Sequence, residues 1–174
     1  MQEEIFEVFD KNWVFVGTEK RSVVHAKGLR HKGVYVLLFN SKGELLLQKR
    51  ALSKKIAPGK WDFSCAEHLV PGETFEEAAL RGLKEEIGVE ADHVKFLFEM
   101  NYVYEYENGL KDNELNAVFE CVFDGKFKAD GEEVSEARFF PLEKVKAMLE
   151  ENPEKFAPWV KEALPKYFEK KSVR

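Results

Sequence analysis

Cysteine is scarce in this sequence, and the two that occur, Cys65 and Cys121, lie far apart. They form neither a CxxC pair, which would suggest a metal or redox site, nor the dense framework of a disulfide-stabilised domain. We therefore expect two free thiols.

Long apolar runs and basic runs are also missing. The longest apolar run covers residues 34–39, whereas a membrane-spanning helix needs about 20 apolar residues. The first twenty residues carry glutamates where a targeting signal would be basic. No run of lysine and arginine exceeds two residues and the net charge is -5, which disfavours a nucleic-acid polymer as partner. We expect a cytoplasmic protein without a membrane partner. Because the protein itself is acidic, it would need a metal ion to bind an anionic substrate.

Core-forming residues are plentiful: 44% of the 174 residues are hydrophobic, and 15 are phenylalanine. This composition and length are typical of one globular domain. We predict a single domain in three parts: an N-terminal β-hairpin and turn over 1–30, a core sheet over 31–141, and C-terminal helices over 142–174.

β-rich runs separated by turn residues predict the strands. One hairpin joins residues 5–9 to 13–16, and Ser22 is predicted to cap a short helical turn that ends near Gly28. A second hairpin joins 33–39 to 44–49 through a turn at Gly43. Further strands are predicted at 61–63, 94–106, 114–123 and 137–140, and helices at 142–150 and 158–168. This order predicts an α+β fold, layered around a mixed sheet.

The central helix has the clearest signals. Thr74 is predicted to cap it, with Glu77 completing a capping box, and Gly88 to end it in the left-handed conformation. Apolar residues four apart predict its buried face: Phe75, Ala79, Leu83 and Ile87.

This helix lies within residues 67–89, EHLVPGETFEEAALRGLKEEIGV, which resemble the Nudix box, Gly-x5-Glu-x7-Arg-Glu-U-x-Glu-Glu-x-Gly-U, where U is bulky and aliphatic. Seven of the nine specified positions match: Glu73, Arg81, Leu83, Glu85, Glu86, Gly88 and Val89. Two depart, since Glu67 replaces the first glycine and Gly82 the glutamate after the arginine.

The resemblance implies a Nudix-like α/β/α sandwich with a loop-helix-loop box, and a hydrolase of small molecules that carry a diphosphate. It also implies Mg²⁺, with Mn²⁺ as an alternative ion, and catalytic roles for Glu85 and Glu86. Positions 82, 85 and 86 share one helix face, where carboxylates can hold hard cations. Arg81 is expected to pair with Glu77 and Glu85. The alternative is that these acids form an ordinary solvated helix face.

Other carboxylates extend the predicted metal site. We hypothesise that Glu67 reaches from the loop into the space that Gly82 leaves, and replaces the missing carboxylate. Asp112 and Glu114 point to the same face of a strand by the period-two rule. In relatives a glutamate on a comparable strand serves as metal ligand or base, which implies that role for Glu114.

Similarity to isopentenyl-diphosphate isomerases covers most of the chain, notably residues 38–47, 50–55, 58–59 and 61. It implies an alternative isomerase site at Cys65, His25, His31, His68, Asp112 and Glu114. His68, beside the box, is also the best placed histidine for a metal. However, the isomerase cysteine aligns with Ala66, and a one-residue offset turns the Cys65 side chain to the other face of an extended segment.

We therefore rank a diphosphate hydrolase first, an isomerase second, and a weakened Nudix domain that only binds its ligand third. Arg50, Lys54 and Lys55 are candidates for phosphate contacts. Trp159 resembles the isomerase tryptophan that stabilises positive charge, or else packs in the core.

Overall fold

The computed structural model describes residues 3–172 and contains nine strands and four helices within them. The strands are β1 (Ile5–Phe9), β2 (Phe15–Lys20), β3 (His31–Phe39), β4 (Glu44–Arg50), β5 (Trp61–Asp62), β6 (Cys65–His68), β7 (Lys95–Glu105), β8 (Lys111–Val122) and β9 (Val134–Pro141). The helices are α1 (Arg21–Lys27), α2 (Phe75–Ile87), α3 (Leu142–Glu151) and α4 (Pro158–Ser172), and a 3-10 turn, Pro153–Lys155, joins the last two.

The predicted N-terminal hairpin is confirmed, with β1 and β2 antiparallel. Helix α1 follows directly and ends at Gly28, whose φ of 64° is left-handed. The prediction that Ser22 caps this helix is wrong, because the helix begins one residue before it. Instead, the Ser22 amide donates to the Glu3 carboxylate.

Strand β3 is the centre of a mixed sheet. It pairs in parallel with β8, from His31 opposite Glu114 to Phe39 opposite Val122, and antiparallel with β6. The predicted hairpin between β3 and β4 holds only at its turn, where Phe39 pairs with Leu45. Beyond that pair β4 separates from β3 and pairs with β9 along its length.

Side chains of β3 alternate between two hydrophobic clusters, as the period of a strand requires. Val34, Val36 and Leu38 pack towards α2, whereas Tyr35 and Leu37 belong to the cluster that includes α3 and α4. The sheet therefore lies between helical layers, which confirms the predicted α+β sandwich.

Helix α2 begins and ends as predicted. Thr74 accepts from the Glu77 amide in a complete capping box, and Gly88 has a φ of 65°. Ala79, Leu83 and Ile87 are buried in the core, while Phe75 packs against its margin. The cap and the glycine fix where the carboxylates of the last two turns lie.

Strands β7 and β8 form a long antiparallel hairpin around a turn at Asn108 and Gly109. Among the residues described, no helix combines the length and apolar character needed to cross a membrane.

Candidate active site

A pocket lies beside β3, β6, β8 and α2, and its lining includes two sets of ionisable side chains, which form two walls. The first wall carries histidines and acids of α1, β6 and β8: His25, His68, Asp112 and Glu114. The second carries glutamates of β6 and α2: Glu67, Glu85 and Glu86. We call these the histidine wall and the helix wall.

The histidine wall holds a cluster suited to a metal ion. One ligand atom from each of His25, His31, His68 and Glu114 can be chosen so that all four lie within 4.8 Å of one another. Nε2 of His31 lies 3.1 Å, and Nε2 of His68 3.0 Å, from Oε1 of Glu114. We call these four residues the histidine cluster.

Sheet pairing assembles this cluster from distant parts of the chain. His31 begins β3 opposite Glu114 in the parallel ladder, and His68 ends β6 opposite Gly33 of β3. His25 comes from α1, which packs against β8. The Phe6 ring of β1 stacks on His31 and His68, with centroid distances of 5.6 and 4.6 Å.

Burial and hydrogen bonds together set the charges on this wall. Burial alone would raise the pKa of Glu114, but hydrogen bonds with His31 and His68 hold it well below the usual value. Burial lowers the pKa of His68 to about 3, although Glu114 opposes the shift. In the metal-free protein Glu114 is thus ionised and His68 neutral, the states that bind a metal ion, whereas for His31 burial is outweighed by the interactions with Glu114, which raise the pKa of His31.

Asp112 lies beside the cluster, with its side chain on the same side of β8 as that of Glu114. Burial, then repulsion from Glu114, raises its pKa to about 7. Tyr106 donates to its Oδ2, while its buried Oδ1 has no hydrogen-bond partner among residues 3–172. That Oδ1 lies 3.3 Å from Nε2 of His25. A bound cation would satisfy this oxygen, so the wall fits a metal ion.

On the helix wall, Glu86 is 5% exposed. Gln48 donates to its Oε2 and the Cys65 thiol to its Oε1. Burial, then repulsion from Glu67, raises its pKa well above the usual value. Glu85 is far more exposed, with 58% of its side-chain surface accessible.

Arg81 forms ion pairs with several glutamates of residues 67–89, and not only with the predicted partners. It pairs with Glu85 as expected, and also with Glu73 and Glu67. The predicted pair with Glu77 is wrong, because the Glu77 carboxylate is used in the capping box with Thr74.

Glu67 lies on β6, not on a loop as predicted, and its side chain packs beside Gly82. A Cβ added to Gly82 would lie 3.1 Å from Cβ of Glu67 and 2.4 Å from Sγ of Cys65. Burial raises the pKa of Glu67 to about 7, against the opposing effect of Arg81. The expected proximity to Gly82 is thus present, while metal binding by Glu67 stays a prediction.

Among residues 3–172, three lysine or arginine side chains line the pocket: Arg21, Arg50 and Lys54. Arg50 pairs with the buried Asp62 at 3.0 Å, and Lys54 with Glu133 at 2.9 Å. The predicted Lys55 is exposed and is not among the described lining residues. Sequence reasoning missed Arg21, although its position four residues before His25 on one helix was a usable signal.

Trp159 lines the pocket and also packs in the core, with 6% of its surface exposed. Its Nε1 donates to Asp62 at 2.7 Å, and the Arg50 guanidinium lies 5.0 Å from the ring centroid. Core packing of Trp159 is therefore confirmed, whereas stabilisation of positive charge in a substrate by its ring stays a prediction.

Both cysteines are free, as predicted, and both are buried. Cys65 faces α2, whereas its neighbour Ala66 lines the pocket. Five of the six residues of the alternative isomerase site therefore come together, and Cys65 does not join them. Phe6, which stacks on the histidines, and Gln48, which donates to Glu86, were not predicted as site residues. Phe6 shares a buried strand face with Val8, a pattern that indicates a core residue rather than a site residue.

A family model, curated relatives and solved structures all match most of this chain. The family model for the NUDIX domain matches residues 29–160. An isopentenyl-diphosphate Delta-isomerase from Pectobacterium atrosepticum is 33% identical over 150 residues, 86% of this chain and 83% of its own. An uncharacterized Nudix hydrolase from Pseudomonas aeruginosa is 38% identical over 129 residues, 71% of this chain and 70% of its own. A crystal structure of a Deinococcus radiodurans protein superposes with a TM-score of 0.75 at 22% identity, and covers 94% of this chain and 98% of that one.

Proposed function

This chain belongs to the Nudix superfamily, and on that premise we propose that it is a divalent-metal-dependent hydrolase of a small molecule that carries a diphosphate. Two acidic walls and three cations line one pocket. An anionic substrate needs cations between itself and such acids, and the diphosphate of a nucleoside or prenyl group offers oxygen ligands to metal ions bound there.

The two walls suit different metal ions. The helix wall offers only carboxylate oxygens, from Glu67, Glu85 and Glu86, and oxygen donors suit Mg²⁺. The histidine cluster offers nitrogen as well as oxygen, which suits Mn²⁺ or another transition metal. A metal ion held there would neutralise charge on the leaving phosphate and activate a water for attack.

The protein's own residues bind and orient the substrate. Arg21, Arg50 and Lys54 line the pocket and would contact phosphate oxygens, and Arg50 is ion-paired with Asp62 at 3.0 Å. Oε1 of Glu114 lies 3.1 Å from Nε2 of His31 and 3.0 Å from Nε2 of His68, and Oε2 accepts hydrogen bonds from Asn116 and Tyr35. This fixed carboxylate is suited to hold a metal ion in one position.

One observation carries the preference for hydrolysis over isomerisation: Ala66, not a cysteine, faces the pocket. Moving a double bond requires an acid and a base at the two carbons, and hydrolysis of a diphosphate requires no thiol. The Trp159 ring supports the same preference, because the Arg50 guanidinium already lies over one of its faces.

Isomerisation is the second candidate, and the histidine wall favours it. The histidine cluster and Asp112 lie together as the isomerase resemblance implies, and the Pectobacterium relative is named as an isomerase. A binding domain without turnover is the third candidate, because Gly82 removes one carboxylate of the box.

Phosphorus NMR tests the proposal directly. The protein is incubated with Mg²⁺ or Mn²⁺ and isopentenyl diphosphate, nucleoside diphosphates or nucleoside-diphosphate sugars, while proton NMR follows the prenyl double bond. Phosphate or monophosphate release that disappears in Glu86→Gln supports the hydrolase. Dimethylallyl diphosphate without phosphate release identifies an isomerase, and binding without any reaction identifies the binding domain.

A further inference from the structure

Gly82 lies inside α2, where glycine is less favourable than alanine. A close contact with Cys65 of β6 explains why a glycine occurs there. A Cβ at position 82 would lie 2.4 Å from Sγ of Cys65, which is closer than real Cβ contacts come. The thiol is fully buried. Cys65 therefore occupies the volume that a side chain at position 82 would need.

The same thiol contacts Glu86. Its Sγ donates to Oε1 at 3.5 Å, and Gln48 donates to Oε2. Each carboxylate oxygen thus has one donor, from β6 and β4 respectively. Position 82 lies four residues before Glu86, so both are on the same helix face. The thiol is therefore close to both positions.

We propose that Cys65 is a positioning residue for Glu86: its thiol replaces a side chain at position 82 and holds the Glu86 carboxylate in a fixed orientation towards the pocket. The assignment of Glu86 as a metal ligand rests on the proposed function. The packing of Cys65 against Gly82 does not depend on that function and can be tested separately.

Thermal unfolding of four proteins tests the packing: wild type, Gly82→Ala, Cys65→Ala and the double variant. In the wild-type background Gly82→Ala lowers the melting temperature, because the new methyl group meets Sγ. In the Cys65→Ala background the same change lowers it less or raises it, because the 2.4 Å contact with Sγ is gone and the 3.1 Å contact with Glu67 remains. An equal change in both backgrounds would overturn the proposal.

Calorimetric titration with Mg²⁺ alone tests the effect on Glu86. Cys65→Ala removes the donor and weakens Mg²⁺ binding about 10-fold, the usual effect of losing a partner that orients a ligand. Cys65→Ser keeps a donor and stays within about twofold of wild type. Equal weakening in both variants would overturn the proposal, since the serine retains the hydrogen bond.

Glu86→Gln distinguishes this inference from the proposed function. If it weakens Mg²⁺ binding and Cys65→Ala does not, the positioning role is wrong and the metal site stands. If Glu86→Gln leaves Mg²⁺ affinity unchanged, the assignment of Glu86 as a ligand is wrong, and the positioning role falls with it.

Discussion

Lys54 lies 2.9 Å from the carboxylate of Glu133 at the border of the pocket. The backbone reinforces the contact, because the Ala51 amide donates to the Glu133 carbonyl at 2.8 Å. A phosphate group that approaches Lys54 therefore competes with a carboxylate already in place.

Glu133→Gln should remove this competition. We expect KM for a diphosphate substrate to fall two- to fivefold with little change in kcat, because an exposed ion pair is worth up to about 1 kcal/mol. Steady-state kinetics measures both constants, and Glu132→Gln, an exposed neighbour, is the matched control. A large loss of kcat would instead give Glu133 a direct part in the reaction.

His68→Gln tests the histidine cluster. Loss of one nitrogen donor should weaken Mn²⁺ binding at least about 10-fold, since even partners that only orient a ligand contribute that much. Electron paramagnetic resonance of added Mn²⁺ measures the free ion. His93→Gln serves as control because His93 is exposed and outside the cluster. Unchanged Mn²⁺ affinity in His68→Gln would rule out the cluster as a metal site.

The positions of these side chains were predictable to different degrees. Capping signals located α2, and the period of a strand placed Asp112 and Glu114 on one face. The sequence could not show that β4 leaves β3 to pair with β9, because strand pairing depends on contacts between distant segments. For the same reason, the contact of Cys65 with Gly82 could not be predicted from the sequence. The glycine inside the helix indicated only that a neighbouring side chain lies close to it.

Asp112 makes the metal-free protein sensitive to pH. Its pKa is raised to about 7, by burial first and then by Glu114, so the folded state binds a proton that the unfolded state has released. The contribution of this carboxyl to stability is therefore lost as pH rises from about 4 through 7. Asp112→Asn should stabilise the metal-free protein by on the order of 2 kcal/mol at pH 8 and little at pH 4.

Urea unfolding in the presence of a chelator measures this difference, with the exposed Asp92→Asn as control. Addition of Mn²⁺ should reverse the order at pH 8, because the ionised carboxylate then has a cation beside it. A stability difference that does not vary with pH would contradict a raised pKa for Asp112.

Glu67→Gln tests whether this residue replaces the carboxylate missing at position 82. If Glu67 holds Mg²⁺, the amide should bind it about 10-fold more weakly, because a neutral oxygen attracts the ion less strongly. Calorimetry gives the affinity, and Glu76→Gln on the exposed face of α2 is the control. Equal affinity in wild type and Glu67→Gln would leave the Arg81 ion pair as the role of Glu67.

Ala66→Cys tests the structural argument against isomerisation, which is that Ala66 and not Cys65 faces the pocket. Both native thiols are buried, with Cys65 at 0% and Cys121 at 4% exposure, and burial raises the pKa of each. A thiol-modifying reagent should therefore react with the native protein only slowly. Ala66→Cys adds a thiol that faces the pocket, so one fast-reacting group should appear, and pyrophosphate with Mg²⁺ should slow it. Fast modification of the wild-type protein would show that Cys65 reaches the pocket, and the main structural argument against isomerisation would be lost.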